Sequence, residues 1–486
     1  MGMLSRRDFL LAAGGAFGGL VLPSNAFGEG GQRLLRFGVL SDVHIFPRQW
    51  PEEKDRLIKA LHWLDNQGVE AVMFPGDQAH SGLISELKVF ADAWFSVFPN
   101  FRGKDGRHVE MLLVTGNHDA DGWGGRWKGF DEARLRSERL NYGDNLKKSW
   151  DRFFQLPFAS VSMRTINGVP FVGAEWRSLN PDVCGFMAAH RSEIDPSQPF
   201  FFFQHLLPRN AMDWSKGADD DVGRALDVFP TAVAISGHTH RSLMDERSLR
   251  QGTFTSIDAG CLRETPTDFY ADCINGGRGK DRLMRRMSET YDCEKQRFVK
   301  VREPGEGGCG MLVDVYRDHL VCHRRNFAVD GDLGDWAVPL PASLDGPVRW
   351  KVRQNRHLPP RFPETAVVSA EYVKSETEVS GPALYGKPCV KVTFTGANPE
   401  VGRRAFFYDV AVMCENAVRT RHRIVAPDFN LPVEKAGRAG VCLFAPSELP
   451  NSGTVDLSVT ALDVFGNAGM TIKGRFNYAD CRKGGA

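Results

Sequence analysis

Along the first half of this chain, apolar runs that read as strands keep ending on side chains of metal-ligand type. Leu35 to Leu40 runs into Asp42-Val43-His44, and Val69 to Phe74 into Gly76-Asp77. Val109 to Thr115 runs into Gly116-Asn117-His118-Asp119, Phe200 to Phe203 into Gln204-His205, and Val233 to Ser236 into Gly237-His238-Thr239-His240. The runs are rich in Val, Leu and Phe without alternation, as in strands buried on both faces beneath helices. Glu52 to Asn66 puts Leu57, Leu61 and Leu64 on one helical face, with Gly68 placed to end it, and Leu83 to Phe98 reads as a second helix. Side chains carried at the carboxyl ends of strands in one sheet converge in space. The pattern predicts an α/β fold with one shared site.

Any one block has an ordinary reading. Asp42-Val43-His44 alone is a surface turn, Gly76-Asp77 is a turn, and His205 is a satisfied core histidine. All five blocks in order are what argue for metal. Carboxylate, amide and imidazole without thiolate suit Fe, Mn or Zn rather than a purely structural zinc. Two such ions side by side activate water against phosphate esters.

Together the blocks resemble the calcineurin-like metallophosphoesterase superfamily, whose pattern is Asp-x-His, Gly-Asp, Gly-Asn-His-Asp/Glu, His and Gly-His-x-His. This sequence matches every element between residues 42 and 240. The resemblance implies a four-layer α/β/β/α sandwich over residues 34–345 and a centre of two divalent or trivalent ions, Fe, Mn or Zn. On it, Asp42, His44 and His240 hold the first ion, Asn117, His205 and His238 the second, and Asp77 bridges. His118 faces the leaving group as an acid, and Asp119 accepts from its other ring nitrogen. The implied reaction is hydrolysis of a phosphate mono- or diester, on a small molecule or a phosphorylated polymer, by metal-activated hydroxide. Purple acid phosphatases, one branch, carry a Tyr ligand three residues after the bridging Asp. Here that place is His80, which argues against a tyrosinate–iron centre and leaves His80 as a contact to substrate or ligand, or a plain exposed histidine. Arg126, Trp123, Trp127 and Arg241 are candidate substrate contacts, with loop packing the plainer explanation for the tryptophans.

The 486 residues exceed one core, so two domains are expected, and 61 basic against 60 acidic residues leave no field to gather nucleic acid. Residues 1–26 read as an export signal: Ser5-Arg6-Arg7-Asp8-Phe9-Leu10, an apolar run from Leu11 to Leu22, then Ser24-Asn25-Ala26. The paired arginines resemble a twin-arginine signal, with the matching export machinery as partner. An ordinary secretory leader is the alternative, and either sends the protein to the periplasm or beyond. No transmembrane segment is expected once the signal is removed. None of the ten cysteines forms a Cys-x-x-Cys pair; some could pair as disulfides, Cys273 and Cys293 being the pair best placed, and several read instead as small core hydrophobes. Thr265 to Gly310 reads as a polar surface excursion that carries Arg282, Arg285 and Arg286 in solvent.

Over residues 347–486 helical patterns vanish. Val367 to Val373, Val390 to Phe394, Phe406 to Val412, Arg421 to Val425 and Thr454 to Leu462 read as strands of a small β-sandwich. Its close, Ala461 to Asn467, resembles a fibronectin type III-like module. A second reading of the chain is a non-catalytic surface protein whose sandwich binds a partner. The complete ligand set, with His118 present, favours the enzyme.

Overall fold

The structure, a computed structural model, describes residues 31–47, 51–122, 130–209, 220–264, 289–292, 297–300, 305, 307–344, 346, 348–354, 359–374, 388–399, 403–414, 417–450 and 453–477. These divide into two compact units, 31–264 with 307–354 and 289–305 with 359–477. The leader, the Trp123–Arg126–Trp127 loop, Arg282, Arg285, Arg286, Cys273 and Cys293 lie outside the described residues. Among the described residues no helix is long and apolar enough to cross a membrane.

In chain order the strands are β1 (Leu35–Val39), β2 (Ala71–Pro75), β3 (Glu110–Val114), β4 (Val161–Ile166), β5 (Val169–Ala174), β6 (Phe200–Gln204) and β7 (Ala232–Ser236). There follow β8 (Leu249–Gln251), β9 (Thr255–Asp258), the paired β10 (Glu289–Asp292) and β11 (Arg297–Lys300) of the second unit, β12 (Cys309–Val315), β13 (His319–Asn326) and β14 (Gly331–Pro339). The first unit contains two six-stranded sheets, ordered β14-β13-β12-β1-β2-β3 and β4-β5-β6-β7-β9-β8. Within them β1, β2 and β3 run parallel, as do β5, β6, β7 and β9.

Alternation of side chains along each strand sorts them into layers. Ala71 and Met73 of β2 join Phe37, Phe171, Phe201 and Val233 in a core between the two sheets. Val72 and Phe74 of the same strand face outward, onto the helices Glu52–Asn66 and Ile84–Val97. On the far side Phe200, Phe202 and Ala234 pack with residues of the helices Val183–Ala189 and Asp220–Leu226. The first unit is therefore the expected α/β/β/α arrangement. The central aromatics meet edge to face, Phe37 lying 5.3 Å from Phe171 and 4.8 Å from Phe201. Burying each contributes roughly 1.5–3 kcal/mol.

The first helix has the bounds its sequence predicts. Leu57, Leu61 and Leu64 are fully buried, Glu52, Glu53 and Asp55 face the positive end of the helix dipole, and Gly68 takes the left-handed turn beyond it at φ 74°. β4 carries no strong apolar signature because it is an edge strand, paired only with β5 and mostly half-buried.

The second unit is all β. Its further strands are β15 (Val368–Lys374), β16 (Pro388–Phe394), β17 (Phe407–Cys414), β18 (Ala417–Val425), β19 (Gly440–Phe444), β20 (Thr454–Leu462) and β21 (Ala468–Asn477). They form antiparallel sheets β15-β16-β19 and β18-β17-β20-β21. Phe394 of one packs on Tyr408 of the other at 5.0 Å, and Tyr408 is fixed by the Ala397 N–H donating to its hydroxyl at 2.8 Å.

Candidate metal centre

The loops after β1 and β2 are zipped together before any side chain is considered. The Asp42 N–H donates to the Gly76 carbonyl at 3.2 Å, His44 to Asp77 at 2.9 Å and Ile45 to Gln78 at 2.8 Å. Asp42, His44, Asp77, His238 and His240 all take left-handed backbone, with φ of 53°, 50°, 57°, 72° and 52°. Such a conformation costs an L residue roughly 1–2 kcal/mol, and strain of this kind persists where the surroundings over-determine it, often at functional sites. The motif glycines serve the same crowding. Gly76 turns at φ 97°, and a Cβ there would sit 2.5 Å from His205 Nδ1. At Gly116 a Cβ would collide with Asp77, and at Gly237 with Ser41 and Asp42.

The seven sequence-predicted ligands, which come from different loops, meet in one place. His240 Nε2 lies 3.0 Å from both Asp42 Oδ1 and His44 Nε2. Asp77 Oδ2 stands centrally, 3.1 Å from His205 Nε2 and 3.6 Å from His44 Nε2. His205 Nε2 is 4.0 Å from Asp42 Oδ1. On the open side His238 Nδ1 is 3.0 Å from Asn117 Oδ1. Asp42, His44, Asp77 and His205 are buried, while His238 is exposed at the mouth.

Groups behind the ligands hold them. His205 Nδ1–H donates to the Pro75 carbonyl at 2.7 Å, which turns Nε2 toward Asp77. Asp42 accepts from Ser41 Oγ at 2.7 Å and from the His238 N–H at 3.1 Å. Thr239, between the two ligand histidines, donates to Asp258, whose buried carboxyl is pushed up to about 7 by desolvation.

The charges ask for cations. Burial works against ionising Asp42, yet the His240 and His205 imidazoles hold its carboxyl below the usual range. Burial likewise opposes ionised Asp77, and His205 with His118 outweighs it. Burial pulls His205 down, but Asp77 and Asp42 bring it up to about 9. His240 is also raised despite burial, with Cys261 and Asp42 beside it. Burial pushes up the Cys261 thiol itself, so at neutral pH the charge acting on His240 is that of Asp42. His44 is lowered by burial and by His118, and His238 by burial and by His205, to about 4. Two carboxylates thus draw protons onto His240 and His205, where metal ions would supply the positive charge instead. Donor atoms at about 2.0–2.2 Å from one ion stand about 3 Å or a little more apart, and His240 Nε2 lies 3.0 Å from both Asp42 Oδ1 and His44 Nε2, which are 3.8 Å from each other. The residues present fit a metal pair, and Asp42, His44, Asp77 and His240 form one cluster within reach of a single ion.

One expected contact is absent. Asp119 does not accept from His118. Asn117–Ala120 is a short helical turn that points the Asp119 carboxylate inward. There it accepts from the Gly116, Ala79 and Gln78 N–H groups at 2.9, 2.7 and 3.3 Å. Burial and the nearby Asp77 push this carboxyl up to about 7. Asp119 therefore ties the bridging-aspartate loop to the catalytic block. The His118 ring instead donates from Nδ1 to the His80 carbonyl at 2.5 Å, leaving Nε2 4.0 Å from Asp77 Oδ2.

His80 is buried beside His44 and His118 rather than exposed. Two neighbours carry no motif, Cys261 and Arg263. The Cys261 thiol donates to the Asp42 carbonyl at 3.3 Å and bonds the His240 ring, and Arg263 reaches His80. Both follow β9, so the rule that strand ends carry the site was the available signal. Arg241 is buried next to His240.

Residues 35–242 match the family model described as calcineurin-like phosphoesterase. That segment is similar to calcineurin-like phosphoesterases. No curated protein matches the sequence. Among solved structures, the chain is similar to a dimetal phosphatase from Danio rerio at 13% identity, covering 63% of this chain and 99% of that one, with a TM-score of 0.33. It is also similar to a purple acid phosphatase from yellow lupin seeds at 12% identity, covering 63% of this chain and 53% of that one, with a TM-score of 0.38. A predicted phosphoesterase from Streptococcus pneumoniae matches at 12% identity, covering 63% and 97%, with a TM-score of 0.26. All three are distant likenesses.

Proposed function

We propose that this chain is an exported dinuclear-metal phosphoesterase, hydrolysing phosphate mono- or diesters. The observation that carries the reading is the position of Asp77, whose Oδ2 stands between the His44 and His205 Nε2 atoms at 3.6 and 3.1 Å. In this reading Asp42, His44 and His240 hold one ion, Asn117, His205 and His238 the other, and Asp77 both. Bound ions would supply Lewis-acid polarisation of the ester and acidify water toward neutrality.

The chain's own residues do the rest. His118 Nδ1–H is committed to the His80 carbonyl, so a proton for the departing oxygen must sit on Nε2, and the acting acid is the imidazolium. His238, exposed at the mouth, and Asn117 border the side from which substrate enters. Export through the twin-arginine route is supported by Arg6-Arg7 and the apolar run after them. A leader over 1–26, a phosphoesterase domain over 34–345 and a fibronectin type III-like sandwich over 347–486 complete the reading.

Elemental analysis of protein purified from its native compartment, coupled to a screen of phosphate mono- and diesters, tests it. Two ions per chain with turnover of at least one ester class is the expected result. Folded protein that carries both ions and hydrolyses no ester would overturn it.

A further inference from the structure

Arg263 and His80 stand behind the site, and no step above uses their side chains. Both are buried, at 4% and 3% exposure. Arg263 Nη1 lies 3.0 Å from His80 Nδ1. A guanidinium only donates, so His80 Nδ1 is the acceptor and the ring carries its proton on Nε2. His44 Nδ1 lies 3.3 Å from the same His80 atom, its one hydrogen-bond partner among the described residues. The one lone pair of His80 Nδ1 is taken first by Arg263, and at 3.3 Å the His44 Nδ1–H shares it as a weaker second donor, which places the proton of His44 on Nδ1. Its Nε2 is then bare. That is the atom 3.0 Å from His240 Nε2 and 3.6 and 3.8 Å from the Asp77 and Asp42 carboxylates. His80 also takes the His118 Nδ1–H on its backbone carbonyl. One residue thus orients a ligand through its side chain and the acid through its main chain.

We infer that Arg263 and His80 are positioning residues for the metal centre: Arg263 fixes the tautomer of His80, and His80 presents His44 with its metal-facing nitrogen free of hydrogen. The inference rests on the two-metal reading above. The contact with Arg263 also withdraws His80 Nδ1 as a metal donor.

The test compares His80→Leu, His80→Asn, Arg263→Met and Arg263→Lys by chelator competition for metal on the full-length protein, with melting of the metal-free protein as a control for folding. An Asn Oδ1 takes the place of His80 Nδ1 and accepts from both Arg263 and His44, and Lys keeps a donor. His80→Leu and Arg263→Met should weaken one of the two ions by about 10–100-fold, with His80→Asn and Arg263→Lys within about threefold of wild type. His80→Asn as weak as His80→Leu would make the role one of packing, and unchanged affinity in His80→Leu and Arg263→Met would remove it; either result overturns the inference. Wild-type protein that binds no metal pair overturns the two-metal reading as well, and is told apart by the wild-type measurement alone.

Discussion

The two units treat their loops and buried charges in opposite ways. In the first, β1, β2 and β7 lead into site residues held in left-handed backbone, with φ from 50° to 72°. In the second, no described residue other than glycine has a positive φ. Its β20–β21 turn shows the contrast. Asp463 accepts from the Phe465 and Asn467 N–H groups at 2.9 and 2.8 Å and from Arg403 at 2.9 Å, so its charge is answered within the chain. Asp42 and Asp77 instead face histidines that must borrow protons to balance them. Five left-handed residues, Asp42, His44, Asp77, His238 and His240, crowd into the site, where ligand binding can repay their strain, while the others of the first unit, such as Asn100 and Asn167, lie away from it.

The largest effect that sharpens this contrast is kinetic. His118→Ala should lower kcat on bis-p-nitrophenyl phosphate by about 10²–10⁴-fold while metal content stays normal, since the side chain is not among the ligands. Unchanged kcat would place the acid elsewhere. Next in size, Asp463→Ala removes the carboxylate that pairs with the buried Arg403 and accepts from the Phe465 and Asn467 N–H groups, and should cost the second unit about 1–3 kcal/mol in chemical denaturation. Metal content should not move, and if it did, the separation of roles between the units would break.

The smallest is a pH effect inside the first unit but away from the site. Burial pulls His323 down, but hydrogen bonds to Asp314 and Asp335 bring it up to about 9 from 6.5. A raised folded value stabilises fully below the unfolded one, so this contribution is present below about 6.5 and is lost as pH rises through about 9. With the imidazole about one-third exposed, the expected loss is about 1–2 kcal/mol, and His323→Gln should flatten that slope in the melting temperature of the first unit. An equally steep slope in the variant would assign the effect to another group.

Much of this was readable in the sequence because strand ends and ligands share one pattern. The helix Glu52–Asn66, the parallel strands and the convergence of Asp42, His44, Asp77, Asn117, His205, His238 and His240 all follow from apolar runs ending on polar blocks. What escaped was direction. Spacing places Asp119 next to His118 but does not show that a single helical turn aims its carboxylate at three backbone N–H groups. Nor does it show His80 turning inward to meet Arg263. β8 is three residues long and β14 alternates toward solvent, so neither carries a strong apolar run.

The most direct test of the metal centre is the metal content of Asp77→Asn. If one carboxylate serves both ions, the purified variant should lose the two together while the second unit keeps its melting transition. Folded Asp77→Asn that retains two ions per chain would contradict shared coordination, and with it the arrangement from which the chemistry follows.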